Sequence, residues 1–142
     1  MTPAERTPGR RRTAALIGVL LANALILGHF YDRFCWPPDD GHYAHIAERI
    51  LNGETLHVDI EEFHPGNTHA INAVALAILG TDLRSLRVPI VFATIAQSLM
   101  VFWLFQSRAL RTGVIAALAT TSLSFVQYLN PQPHWYCLTL AI

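Results

Sequence analysis

The sequence predicts an all-α fold, a multi-pass bundle of transmembrane helices with one external loop that carries a short amphipathic helix. Three observations point there. The composition is 52% apolar and 14% charged with a mean hydropathy of +0.33, which does not suit an ordinary soluble domain of 142 residues. Charge-free gaps approaching the roughly 20 residues of a bilayer-crossing helix recur along the chain. The zero net charge is a cancellation of blocks: residues 1–12 carry four arginines against one glutamate, residues 32–65 two arginines against eight acids, and residues 82–111 four arginines against one aspartate.

The same features exclude other classes. Ten basic residues, all arginine, balance ten acids, so nothing supports nucleic-acid binding through bulk charge. Two cysteines 102 residues apart make neither a disulfide framework nor a four-ligand zinc site. A chain this apolar inserts or collapses rather than staying disordered.

Residues 1–12 form a basic tail, and Thr13 to Tyr31 is the first span. Arg10, Arg11 and Arg12 before it mark the cytoplasmic side. A signal peptide is the rival, but no small-x-small cleavage pattern follows and further apolar segments do. The second span, 66–81, is diluted at its start by Asn67, His69 and Asn72, as expected of a helix with a polar, cavity-facing end. The third, 88–107, begins at Pro89, where a missing N–H costs least, and ends near Trp103, an interfacial anchor. The fourth covers 112–129, where Asn130-Pro131-Gln132-Pro133 must interrupt the helix. A partial fifth starts at His134 and stops at Ile142, as expected of an incomplete membrane domain belonging to a larger protein. With the N-terminus inside, 32–65 lies outside. The second span then returns, placing Arg84 and Arg87 inside, while Arg108 and Arg111 pull the far end of the third span to the same side.

The external loop holds the candidate chemistry: eight of the ten acids and five of the seven histidines fall between Asp32 and His69. Pro37-Pro38 sets an extended approach, Asp39 or Asp40 caps a helix, and Tyr43, Ile46, Ala47, Ile50 and Leu51 repeat at helical spacing up to a C′ glycine, Gly53. Such a helix is expected to lie along the membrane surface with its apolar stripe down. Asp39 and Asp40, adjacent at a low-dielectric boundary, raise one another's pKa, so that one serves as general base or metal ligand; a solvated N-cap is the plainer alternative. His42 and His45, at i, i+3, can hold zinc with a carboxylate such as Asp40 as further ligand, or simply face water. Asp39, Asp40, His42 and His64 can also gather around one divalent cation. His64 can donate to an anionic group near the membrane surface, and Arg84 and Arg87 can bind lipid phosphate or merely obey the charge rule.

The order of these features, Pro38-Asp39-Asp40-Gly41-His42-Tyr43, then Ile50-Leu51-Asn52-Gly53, Phe63-His64-Pro65-Gly66, Leu79-Gly80 and Leu86-Arg87, resembles the N-terminal part of the GT-C superfamily of membrane glycosyltransferases. The likeness is to the dolichyl-phosphate-mannose-protein mannosyltransferase-like group that includes the RgtA/B/C/D-like bacterial enzymes, and it runs from Arg10 onward. The resemblance implies an inverting transfer of a sugar from a polyprenyl-phosphate donor to an acceptor hydroxyl of a glycan, lipid or protein, on the outer face of the plasma membrane. It makes Asp39 the catalytic carboxylate, with Asp40 where the family usually has Glu. Tyr43, His64 (in place of the Lys of a Lys-Pro-Pro element) and Arg87 become substrate-binding residues. Family members have about twice as many spans, so this chain would carry the catalytic-loop part of the fold and be inactive alone. The alternatives are a small, non-catalytic multispan protein that binds lipid or a partner subunit and, ranking last for want of ionisable residues in its later spans, a piece of a transporter.

Overall fold

The computed structural model describes residues 8–33, 35–125 and 129–141. Among them are six helices and no strand: α1 (Pro8–Phe30), α2 (Pro37–Leu51), α3 (Gly66–Leu79), α4 (Leu83–Gln106), α5 (Leu110–Phe125) and α6 (Pro133–Leu140). The all-helical expectation holds. Two helices, Gly9–Phe30 within α1 and Leu83–Gln106, are long and apolar enough to cross a membrane.

α1, α4 and α5 pack side by side. Near the start of α1, Val19, Phe102 and Ala117 form a buried cluster with Ala15, Leu16, Leu99 and Leu110 against it. A polar seam runs through the middle: Asn23 donates from Nδ2 to Ser98 Oγ at 2.9 Å and accepts at Oδ1 from Thr121 at 2.6 Å. The Ser98 hydroxyl in turn donates to the Ala117 carbonyl at 2.9 Å. Side-chain hydrogen bonds of this kind hold helices together where apolar burial gives no net drive, as in lipid. At the far end, Leu27, Ile90, Leu129 and Trp135 make a second cluster, which brings α6 onto α1 and α4.

The path between α1 and α4 differs from the expected one. The Tyr31 hydroxyl, just past α1, donates to the Arg84 carbonyl at 2.7 Å, and Arg87 Nη1 donates to the Tyr31 carbonyl at 2.8 Å. The chain therefore begins α4 at the end where it left α1, and 66–81 does not carry it across. α3 has 14 residues, about 21 Å at the helical rise, against the roughly 30 Å of a hydrocarbon core. Its Thr68, His69 and Asn72 are buried in the protein. Arg84 and Arg87 accordingly sit at the α2–α3 end, away from Arg10. At the opposite end, Arg10, Arg11, Ala14 and Leu110 line a common cavity of about 640 Å³, so the α4–α5 turn, with Arg108, lies beside the basic start of α1. Both ends of α4 still carry arginines, but at the first end Arg87 lies against Asp40 and Arg84 Nη2 stands 3.7 Å from Asp32 Oδ2. α5 has 16 residues and α6 eight, and residues 126–128 of the expected fourth span lie outside those described. Four spans are not supported.

Local chemistry moves other boundaries. Asp82 accepts from the Arg84 N–H at 2.8 Å and caps α4 five residues before the expected start, leaving Pro89 inside the helix. Pro37 and Pro38 occupy the first turn of α2 rather than an extended approach, because a proline loses nothing where the N–H has no helical partner. The N-cap is Trp36, and no side chain caps it. The apolar stripe of α2 faces protein, not lipid: Ala47 packs with Ala73, Leu76 and Leu86, with Ala44 and Ile50 alongside. Gly53 takes the left-handed φ of 92° expected of a C′ residue.

Candidate functional site

The first turn of α2 sends its two acids in different directions, because successive helix residues point about 100° apart. Asp40 is turned inward and buried. Its Oδ2 accepts from the Trp36 N–H at 2.8 Å and lies 3.5 Å from Arg87 Nη2. Both side chains of this pair are at most 5% exposed, so Arg87 neutralises a buried carboxylate and is turned away from any ligand cavity described below. Asp39, half-buried, faces the segment before α6. Its Oδ2 accepts from the Asn130 amide at 3.3 Å and from the Gln132 amide. Asn130 is itself oriented by the Trp135 indole N–H, 3.3 Å from its Oδ1. The expected mutual repulsion of a carboxylate pair is thus replaced by two separately partnered acids.

A cavity of about 510 Å³ opens over Asp39 and is lined by Asp39, His42, Tyr43, His64, Gln132 and His134, among others. It brings together four of the expected site residues, Asp39, His42, Tyr43 and His64, and leaves out Asp40 and Arg87. Tyr43 is buried, with its ring stacked on His69 at a centroid distance of 5.6 Å and 5.7 Å from that of His64. Burial, and after it the negative charges of Glu62 and Asp39, push the Tyr43 hydroxyl up to about 12. It therefore stays a phenol, able to donate a hydrogen bond.

Glu62 organises the floor beneath. Its Oε1 accepts from the backbone N–H groups of Phe63 and His64, each at 2.9 Å, and from His64 Nδ1 at 2.7 Å. Its Oε2 accepts from His42 Nε2 at 2.7 Å. An ionised carboxylate only accepts, so both imidazole nitrogens that face it carry a proton. Burial would raise this acid, but the hydrogen bonds from His64 and His42 outweigh it and hold Glu62 at about 2. His42 therefore partners Glu62 rather than Asp40, and His45, expected to share a metal with it, stays exposed on α2. The candidate ligand set Asp40 and His42 is not assembled.

Glu62, His69, Asn130 and Gln132 went unread as site residues. The spacing Glu62-x-His64 followed by His69 was a usable signal, as were two amides between prolines in a charge-free stretch. No family model, no curated protein and no solved structure matches the chain.

Proposed function

We propose that the chain is the catalytic-loop portion of a membrane glycosyltransferase that takes its sugar from a polyprenyl-phosphate donor. The observation that carries this reading is the single cavity shared by Asp39, Tyr43 and His64, the residues to which the GT-C resemblance gives a carboxylate base and a phosphate site. Asp39, its Oδ2 held by two amides, takes the proton of the acceptor hydroxyl as that oxygen attacks the anomeric carbon. The bond from that carbon to the phosphate oxygen breaks, and the lipid phosphate leaves as an anion, met by the Tyr43 hydroxyl and the free edge of His64. Attack opposite the leaving group inverts the anomeric centre. Asp40 and Arg87 act as positioning residues that fix the first turn of α2 under Asp39.

In this reading α1 and α4 cross the plasma membrane beside α5, with the Arg10–Arg12 and Arg108 end cytoplasmic. α2 and α3 lie at the outer headgroup level, where a lipid-borne phosphate resides. The test is sugar transfer in vesicles by the full-length protein carrying Asp39→Asn. Transfer is expected to fall about 10²–10⁴-fold with membrane insertion unchanged; retained transfer overturns the reading. A non-catalytic protein that binds lipid has one observation in its favour, an apolar groove of about 500 Å³ between α3 and α4 lined by Ile71, Val74, Ile78 and Phe92. A folded, full-length protein that binds lipid but transfers no sugar would favour it.

A further inference from the structure

We infer that Glu62, His64 and His69 form a binding site for one divalent transition-metal ion of the zinc class, beneath the cavity that holds Asp39. One ligand atom from each of the three lies within 4.8 Å of the other two. Around a tetrahedral zinc with bonds of about 2.0–2.1 Å, donor atoms stand about 3.4 Å apart, so the widest pair closes by at most about 1.4 Å, within reach of side-chain rotations. Two imidazoles and one carboxylate suit zinc and its neighbours rather than calcium or magnesium, which take oxygen ligands.

His69 supplies the independent observation. It is fully buried, and neither of its ring nitrogens makes a hydrogen bond. A neutral imidazole has one donor and one acceptor, and leaving both unmet in the interior is unfavourable. Its Nε2 is 3.8 Å from Glu62 Oε2, too long for a hydrogen bond but suited to two ligands of one ion. His69 is held there by Tyr43, stacked on its ring, and by its place on the buried face of α3. Glu62 and His64 come from the segment just before α3, so a few residues at one helix start supply the whole set. His42, bonded to Glu62 Oε2, orients the carboxylate from the outside. Binding at His64 Nδ1, the nitrogen that now donates to Glu62, takes the other tautomer of the neutral ring, with its one proton on Nε2. Three protein ligands leave a further coordination position open, and His64 also lines the cavity above. The site stands on this geometry alone and does not depend on sugar transfer.

The test uses tag-free full-length chain in detergent, stripped with chelator and titrated with Zn²⁺ by calorimetry and with Co²⁺ by visible absorption. One ion per chain is expected, with the intense d–d band of four- or five-coordinate Co²⁺. His64→Ala and Glu62→Gln are each expected to weaken binding at least about 100-fold while helicity and the elution profile stay those of the wild type. His45→Ala, on the exposed part of α2, is expected to change nothing. Absence of stoichiometric binding by the wild type, or binding kept by both Glu62→Gln and His64→Ala, overturns the site. Equal loss in His45→Ala also overturns it, by pointing to surface imidazoles. Should His64→Ala misfold, the wild-type stoichiometry and Glu62→Gln decide alone.

Discussion

Arg87→Met tests whether the second acid of the Asp39-Asp40 pair is a structural group. The substitution removes the charge and keeps most of the side chain's length. In the wild type the Arg87 Nη2 to Asp40 Oδ2 separation is 3.5 Å, with the two side chains 5% and 4% exposed. At an effective dielectric of about 20, that separation corresponds to an attraction of about 5 kcal/mol. Breaking a buried pair by removing one partner costs about 3–5 kcal/mol, because the other charge stays buried. Arg87→Met and Asp40→Leu are each expected to lower the unfolding free energy by that amount. The double variant leaves no orphaned charge. Of the bonds it loses, those to the Tyr31 carbonyl and from the Trp36 N–H are worth about 1 kcal/mol each, and it is expected to fall by about 2 kcal/mol. The sum of the single losses then exceeds the double loss by about 4 kcal/mol or more. Denaturant titration in micelles, followed by far-UV circular dichroism, measures all four corners of the cycle. Single losses below about 1 kcal/mol, or additivity within about 0.5 kcal/mol, would refute the buried-pair account and return Arg87 to the ligand-binding candidates.

Asn23→Leu removes the hinge of the seam that joins α1 to Ser98 and Thr121; a loss of about 1–2 kcal/mol is expected, read as a lower denaturation midpoint. Gly113→Ala should also destabilise, by about 1–3 kcal/mol, since a Cβ there would stand 3.0 Å from the backbone N and Cα of Gln106. Gly18→Ala, in open space on α1, should raise the midpoint slightly through helix propensity, and an equal response of the two glycines in the same titration would count against the α4–α5 packing. Gln132→Leu frees one bond on Asp39 Oδ2; sugar transfer by the full-length protein is expected to fall about 10–100-fold with the unfolding midpoint within about 2 °C of wild type. A midpoint that drops with the activity would make Gln132 a folding residue.

The helices were legible where a local rule sets them. The charge-free run after Arg12 marks α1, helical spacing from Tyr43 and a C′ glycine mark α2, and the two prolines around Gln132 mark the break before α6. What was not legible is set by pairs distant in sequence. Hydropathy along 66–81 counts apolar residues without saying where the segment's ends lie. The bond from Tyr31 to Arg84, 53 positions on, is what keeps α3 on one side. Arg87 reads as a loop charge until Asp40 is found against it. The site was half legible: Asp39, Tyr43 and His64 share the cavity, whereas Glu62 looked like one acid among eight, and His69 like a polar dilution of an apolar span.

The placement of Asp39 depends on three separate supports, and their arrangement explains why an incomplete set would not hold it. Asp40, one residue on, is drawn inward by Arg87 of α4, which fixes the rotation of α2 about its axis. That rotation aims Asp39 at the segment before α6, whose two amides lie 91 and 93 residues along the chain. Pro131 and Pro133 flank Gln132 and restrict the backbone there, so the amides arrive with little freedom left to lose. Trp135, buried against Leu27 and Ile90, ties that segment to α1 and α4. The carboxylate is thereby referred to the two helices long enough to cross a membrane, rather than to the loop that contains it. Under the proposed function, Asp39 as a base meeting a donor held at a fixed depth in the headgroup layer would need a reference of that kind, since a displacement of about 1 Å costs about 10²-fold in rate.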